Sequence, residues 1–434
     1  MIETRERRDR AYLLGVQLPG VEPLQLEEQM AELAELARTA GVEVAGSDVQ
    51  RRTAIDPALF AGRGKLDEIA AQKGALELDL VICNEDLSPR QQRNLEQKLD
   101  LRVLDRTEII LEIFALHART REGRLQVEVA RLHHWLPRLV GAYDLNRQMG
   151  ARGTRGGPGE QQSEIERRRV RRRVRDLERE LEQVRAQRGE QRRGRRRADL
   201  TSVAIVGYTN AGKSTLLNAL TGASVAAQNQ LFATLDPTTR RHRTASGREL
   251  LLSDTVGFIQ SLPTDLVAAF RSTLEHVTEA DVILHVVDGT ARSTLEQAAI
   301  VDGVLQELGA TPQPRVVALN KIDLLGAAGM RRVVASLRRR YAVVVPISAR
   351  ERTGLDRLDE ELCRVSHSEL VPLRLLVPYG DERVLEQLRR EGVVEDTAYT
   401  ERGTLTQARA PRQALHRFER FALNGSANER PETA

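Results

Sequence analysis

What this 434-residue chain has little of narrows it first. It carries two cysteines, Cys83 and Cys363, far apart and in apolar strand-like and helical contexts. That excludes a disulfide framework or a cysteine zinc site and leaves both as small core hydrophobes. Aromatic residues are only 3% of the chain, so stacking of bases on rings is not an expected mode of nucleic-acid contact. No apolar run approaches the ~20 residues that span a bilayer, and the segment MIETRERRDR is charged rather than signal-like, so a cytoplasmic protein with no membrane span is expected. Of 66 basic residues only Lys65, Lys73, Lys98, Lys213 and Lys321 are lysine. The formal net charge of +4 is too small for the total to argue for a polyanionic partner, so any such argument must rest on where the arginines lie.

The length allows two to four domains, and composition divides the chain. Residues 1–105 alternate strands and amphipathic helices (Ala11–Val16, Leu26–Ala40, Val42–Val49, Leu66–Ala75, Leu80–Cys83, Arg90–Leu99, Leu101–Leu104), the order of a small α/β domain with a mostly parallel sheet. Residues 106–199 change character. Leu125, Val129, Leu132, Leu136 and Leu139 recur at four–three spacing, as do Val170, Val174, Leu177, Leu181 and Val184, and each set is a coiled-coil seam. Between them MGARGTRGGPGE, 149–160, is too Gly-rich for a helix, so the seams are expected to fold back as an antiparallel helical hairpin with a Gly/Arg tip. Arg167–Arg169, Arg171–Arg173, Arg175, Arg192, Arg193 and Arg195–Arg197 crowd the second helix, and Arg152 and Arg155 sit on the tip. A solvated face laced with Glu164, Glu166, Glu178, Glu180 and Glu182 is the plain alternative, but the bases outnumber the acids, and arginine suits phosphate. His133, His134 and Trp135 fall in the first seam's helix as packing or surface residues. Residues 200–366 form the next domain, 367–423 a small α+β domain with strands Leu373–Val377 and Val393–Tyr399 around a helix Glu382–Arg390, and 424–434 a disordered tail.

The central domain carries the chemistry. Val203–Val206 reads as a buried strand and Thr215–Leu220 as the start of a helix, with Gly207, Tyr208, Thr209, Asn210, Ala211, Gly212, Lys213, Ser214 and Thr215 on the turn between them. This is a P-loop: glycines let backbone N–H groups close on phosphate, Lys213 reaches the β- and γ-phosphates, and Ser214 offers a hydroxyl to Mg²⁺. Asn320, Lys321, Ile322 and Asp323 name the base, because the Asp323 carboxylate accepts from both N1–H and the N2 amine of guanine. A site built on such contacts rejects adenine by roughly 10⁴. Between these strings Asp254, Thr255, Val256 and Gly257 follow the strand Leu250–Leu252; Asp254 can hold Mg²⁺ through water and Gly257 can sense the γ-phosphate. Ser348, Ala349 and Arg350 follow the strand Ala342–Ile347 and are placed to close over the base. Two of the five lysines fall in these motifs, where a compact ammonium is needed. Ligands are therefore GTP or GDP with Mg²⁺. His242 has no base role in this reading.

The stretch VLDRTEIILEIFALHARTREGRLQVEVARLHHWLPRL at 103–139, the Gly-rich tip, and the nucleotide motifs together with Phe232, Ala233, Thr234, Leu235 and Asp236 resemble the HflX family of ribosome-associated GTPases over most of residues 10–366. The resemblance implies GTP hydrolysis, Mg²⁺ held by Ser214, Thr234 and Asp254, catalytic roles for Lys213, Thr234 and Gly257, and a partner in the large ribosomal subunit and its ribosomal RNA, with a role in splitting, rescue or biogenesis under stress. DNA is not an expected partner, and a monomer is expected. Thr238 and Thr239 stay open as alternatives to Thr234. The tip departs from the family pattern, with TRGGPGE followed by QQSE. Phe258 stands where many Ras-like enzymes place the glutamine that orients water, so hydrolysis should be slow alone and stimulated by the ribosome, the missing element coming from a partner, another residue or a bound monovalent ion; Asn210 resembles an asparagine that coordinates K⁺ in GTPases lacking that glutamine. An ATP-driven RNA-remodelling enzyme and a nucleotide-bound scaffold docking an acidic protein are the rival readings.

Overall fold

The computed structural model describes residues 8–138, 158–196, 201–222, 231–232, 234–245, 247–259, 271–310, 313–367, 370–381, 383–411 and 415–423. Its first part runs β1 (Arg10–Gln17), α1 (Pro23–Thr39), β2 (Glu43–Arg51), α2 (Arg63–Gln72), β3 (Leu80–Cys83), α3 (Pro89–Leu99) and β4 (Arg102–Leu104). The strands pair in the order β2-β1-β3-β4, every pair parallel. β1 and β3 are nearly continuous apolar runs because helices cover both faces of such a sheet. Ser88 starts α3 with a capping box, its hydroxyl accepting from Gln91 N while the Gln91 side chain accepts from Ser88 N.

The next helix shifts an expected boundary. α4 (Arg106–His117) fell in the hairpin segment by sequence, yet its Ile109, Ile110, Ile113 and Phe114 are buried in the cluster that holds Leu13, Leu33 and Leu36 of β1 and α1. Its start is fixed by Asp105, a fully buried carboxylate that accepts from Glu108 N. Arg138 also donates to Asp105, and burial is opposed by His134 and Arg138, which together hold the Asp105 carboxyl below its ordinary range. Past this helix, α5 (Arg121–Trp135) packs along α6 (Pro158–Arg196) through Leu125, Val129, Leu177 and Leu181, flanked by Leu132 and Val184. Leu136 lies just after α5, and Leu139 lies outside the described residues. α6 begins at Pro158, so residues 158–160 of the expected loop are helical; proline suits the first turn, where its missing N–H costs nothing. The rest of the tip, with Arg152 and Arg155, lies outside the described residues.

The central sheet is built from β5 (Thr201–Gly207), α7 (Lys213–Thr221), β6 (Thr238–Arg243), β7 (Glu249–Asp254), α8 (Arg271–Thr278), β8 (Val282–Asp288), α9 (Thr294–Glu307), β9 (Arg315–Asn320), α10 (Ala327–Arg338), β10 (Val344–Pro346) and α11 (Leu355–His367). Its order is β10-β9-β8-β5-β7-β6, all parallel except the edge strand β6, which is antiparallel to β7. His242 on β6 is buried against Asp359 of α11, 2.8 Å from Nε2 to Oδ1, and ties the edge strand to the helix beneath. Order reverses at β5, so a crevice opens at the carboxyl ends of β5 and its neighbours, where doubly wound sheets bind ligands.

The last sheet holds β11 (Leu370–Val377), α12 (Arg383–Glu391), β12 (Val393–Thr400) and β13 (Gly403–Pro411), in the antiparallel order β11-β13-β12, closed by α13 (Leu415–Phe418). Its middle strand was not expected from sequence. β13 buries Thr404, Thr406, Ala408 and Ala410, small side chains that lie under the sheet without giving an apolar run. The 424–434 tail lies outside the described residues.

Candidate nucleotide site

The phosphate end starts where β5 stops. Gly207 to Ser214 turn the chain from strand into α7, and Gly212, with φ 97°, is the N-cap of that helix. A Cβ on Gly212 would collide with the Asn320 amide, so glycine is needed both for its backbone angle and for the close approach of the end of β9. Asn210 is left-handed as well, φ 59°, and exposed at the loop's crest. Lys213 is buried, and its Nζ donates to Tyr208 O at 2.8 Å and Gly207 O at 3.2 Å, bracing the loop from inside. Burial lowers its pKa to about 8, opposed by the Asp254 carboxylate.

Beneath it three oxygen-bearing side chains converge. Ser214 Oγ donates to Asp254 Oδ2 at 2.6 Å, Thr234 Oγ1 donates to the same oxygen at 3.0 Å, and the two hydroxyls are 3.0 Å apart. Asp254 is fully buried; its second oxygen, Oδ1, has no hydrogen-bond partner among the described residues, and burial raises its pKa against Lys213 and the two hydroxyls. An all-oxygen set around a buried, half-satisfied carboxylate fits a hard divalent cation such as Mg²⁺, held by Ser214 and Thr234 with Asp254 acting through water. When bound, such an ion would neutralise phosphate charge. The geometry thus gathers Thr234; Thr238 and Thr239 begin β6 instead, Thr239 Oγ1 lying 2.9 Å from Ser253 Oγ.

Around this core the rest of the 254–258 segment is locked. Thr255 is buried and donates to Ile205 O at 2.8 Å, and Val256 is part of the core. A Cβ on Gly257 would lie 2.8 Å from Thr209 Cγ2 and 3.0 Å from Lys213 Nζ, so only glycine passes over the lysine. Phe258 is buried, and its main chain pairs with the P-loop: Thr209 N donates to Phe258 O at 2.7 Å, and Phe258 N to Gly207 O at 3.1 Å. Its ring belongs to the apolar cluster shared with Tyr208, Leu231, Phe232 and Leu235.

At the base end Asn320 is the stitch. Its Nδ2 donates to Ala211 O at 2.8 Å, and its Oδ1 accepts from Ala349 N at 2.9 Å, joining the P-loop to the 348–350 loop. Lys321, left-handed at φ 64°, pairs with Asp288 at 2.7 Å. Asp288 ends β8 and was missed by sequence reasoning, although a carboxylate closing a buried apolar strand is a signal for the sheet's ligand edge. Asp323 sits in a short 3₁₀ turn at 322–324 with its side chain exposed, while Ile322 packs into the core beneath. Ser348 Oγ accepts from Glu351 N at 3.0 Å and shapes its turn; Arg350 is exposed.

Not every candidate faces the nucleotide. Asp236 turns away from it: Arg119 N and Thr120 N donate to Asp236 Oδ2 at 2.9 and 2.8 Å, and the Thr120 hydroxyl donates to Oδ1. Phe232 meets Phe114 of α4 edge-on, with centroids 4.8 Å apart, and Leu235 is buried in the same cluster. The Tyr208 hydroxyl donates to Glu32 of α1, which pairs with Arg106. These are contacts between sequence-distant segments, which no local motif announces. Ala233 lies outside the described residues.

Family models and relatives cover most of the chain. Models described as "GTP-binding GTPase N-terminal", "GTP-binding GTPase Middle Region" and "50S ribosome-binding GTPase" match residues 27–115, 117–195 and 202–321. The GTPase HflX of Caldanaerobacter subterraneus subsp. tengcongensis is 43% identical over 425 residues, covering 98% of this chain and 96% of that protein. This chain belongs to the HflX family of GTPases. It hydrolyses GTP to GDP and phosphate. The GTPase HflX of Escherichia coli K12 is 41% identical over 386 residues, covering 88% of this chain and 90% of its own. Among solved structures, a GTP-binding protein from Sulfolobus solfataricus in complex with GDP covers 83% of this chain and 99% of its own, at 26% identity and a TM-score of 0.45. Among the described residues no helix is long and apolar enough to cross a membrane.

Proposed function

We propose that this HflX-family GTPase binds the large ribosomal subunit through the α5–α6 arm and uses GTP binding and hydrolysis to time that association, in splitting, rescue or biogenesis of ribosomes under stress. The observation that carries the reading is the surface of α6. Arg169, Arg171, Arg172 and Arg175 are exposed there and form no ion pair with the described residues, whereas Arg168, Arg173 and Arg179 are offset by Glu164, Glu128 and Asp176. A row of guanidiniums with no ion-pair partner among the described residues suits the phosphates of ribosomal RNA better than it suits stability. The "50S ribosome-binding" description of the matching model points to the same partner. The protein acts as a cytoplasmic monomer, with Mg²⁺ between Ser214, Thr234 and Asp254.

With Phe258 turned into the core, no side chain of that position orients water. Turnover is slow alone, and the missing element comes from the ribosome, from another residue or from K⁺ at Asn210; equal turnover in K⁺ and Na⁺ buffers contradicts the last. The deciding experiment measures GTP hydrolysis with purified large subunits for wild type, Lys213→Ala and a deletion of residues 149–160. Stimulation that both changes abolish is expected, and if about six phosphates are met it should fade by roughly 10³ in affinity between 50 and 200 mM salt. Absence of stimulation at any salt removes the ribosome from the account.

A further inference from the structure

Phe232, Thr234 and Asp236 face two ways. Thr234 points into the cation site, 3.0 Å from both Ser214 Oγ and Asp254 Oδ2. Its neighbours point out: Phe232 onto Phe114 at the end of α4, and Asp236 onto the first turn of α5. The contact of Asp236 is specific. Both oxygens are engaged by Arg119 N, Thr120 N and the Thr120 hydroxyl, and Thr120 is itself the N-cap of α5, accepting from Gly123 N at 3.0 Å. The carboxylate therefore sits over a helix N-terminus, where N–H groups and the dipole favour negative charge. Gly123 makes room for it: a Cβ there would lie 2.5 Å from Asp236 Oδ1. Helix α5 is also the first helix of the arm, packed on α6 through Leu125 and Val129.

We infer that Asp236 is a positioning residue that couples the Thr234 loop to the root of the arm, so that the GTP-bound arrangement of Thr234 and the capped arrangement of α5 stabilise each other. This rests on the reading of Thr234 as a ligand of the cation that accompanies GTP. Coupling is reciprocal: a partner that holds the arm in its capped form tightens GTP over GDP by the factor by which GTP tightens the partner. GDP, which lacks the γ-phosphate contacts that order such loops, is indifferent to the cap.

The test compares affinities of the full-length protein for GDP and for a GTP analogue that resists hydrolysis, both with Mg²⁺. Asp236→Ala should weaken the analogue by about 10-fold, within the ordinary range of coupling between sites, and leave GDP unchanged. Thr120→Val should do the same to a lesser degree, and Thr120→Ser should behave as wild type. Gly123→Ala separates this role from mere support of the helix, because alanine favours a helix yet blocks the carboxylate; it too should lose the analogue selectively. Hydrogen exchange should show the amides of Arg119 and Thr120 about 10-fold more protected with the analogue than with GDP. If wild type binds both nucleotides but all variants keep the same ratio, or the amides exchange alike in both states, the coupling is wrong and the nucleotide site stands. If wild type binds neither nucleotide, the site itself is wrong. Should Asp236→Ala not fold, Gly123→Ala and the wild-type exchange data decide.

Discussion

The two ends of the nucleotide site are built on different principles. At the base end, Asn320 satisfies both of its amide functions within the central fold, Lys321 is paired with Asp288, and Asp323 stands exposed at a fixed turn. At the phosphate end, Lys213 is buried among carbonyls, Asp254 keeps one oxygen without a partner among the described residues, and the flanking Tyr208, Phe232 and Asp236 are anchored on the N-terminal region. The base end is thus braced within the central fold, whereas the phosphate end leans on segments outside it. A purine is the same in GTP and GDP, so its seat can be rigid; the γ-phosphate changes, and what reads it must be able to respond.

The largest effect should come from the phosphate end. Lys213→Ala removes the buried cation proposed to meet the β- and γ-phosphates and should lower kcat about 10²–10³-fold, the range found for loss of a preorganised charge-stabilising donor; single-turnover hydrolysis measures it, and a loss under 10-fold would move the phosphate contact elsewhere. At the base end, Asp323→Asn exchanges a charged bidentate acceptor for a neutral group and should weaken GTP and GDP equally, by roughly 10²-fold. An unequal loss would mean that the two ends are not independent.

How much of this was legible in the chain follows the same division. The 207–214 and 320–323 strings were legible as candidates because each is a local pattern, fixed by a strand, a turn and a helix start. The parallel order of the first sheet was legible in the alternation from Ala11 to Leu104. Asp236 was legible only as a member of a motif, and its partners, Thr120 and Gly123, lie over a hundred residues away, so no spacing rule connects them. β13 escaped for a different reason: Thr404, Thr406, Ala408 and Ala410 are buried without being strongly apolar, and hydrophobic periodicity is the signal by which strands are found. α4 escaped its proper place because a helix rich in Ile and Leu next to a coiled-coil seam gives no sign of which neighbour it covers.

A titration sharpens the contrast further. Lys213 has its pKa lowered to about 8 by burial, while the unfolded chain keeps an ordinary lysine near 10.4. Between these values the unfolded state binds the extra proton, so stability of the nucleotide-free protein should rise with pH from about 8 to about 10.4, by at most about 3 kcal/mol. Bound phosphate favours the charged amine, so GTP affinity should fall over the same window. Urea denaturation of wild type against Lys213→Met across this range checks the first; a pH-independent difference between them would contradict it. The smallest effect is expected at the stitch between the ends. Asn320→Ala leaves Ala211 O and Ala349 N without their side-chain partner and should cost about 2 kcal/mol of stability, read from the urea midpoint at constant slope. A cost near zero would show that the P-loop and the 348–350 loop are held together by other means.

The most direct test of the central claim is displacement of a fluorescent GDP analogue from the wild-type protein in Mg²⁺. GDP and GTP should release it at comparable low concentrations, and ATP should fail at roughly 10³-fold higher concentration, because only guanine offers the Asp323 carboxylate both of its donors. Release by ATP at concentrations close to those of GTP would contradict the account.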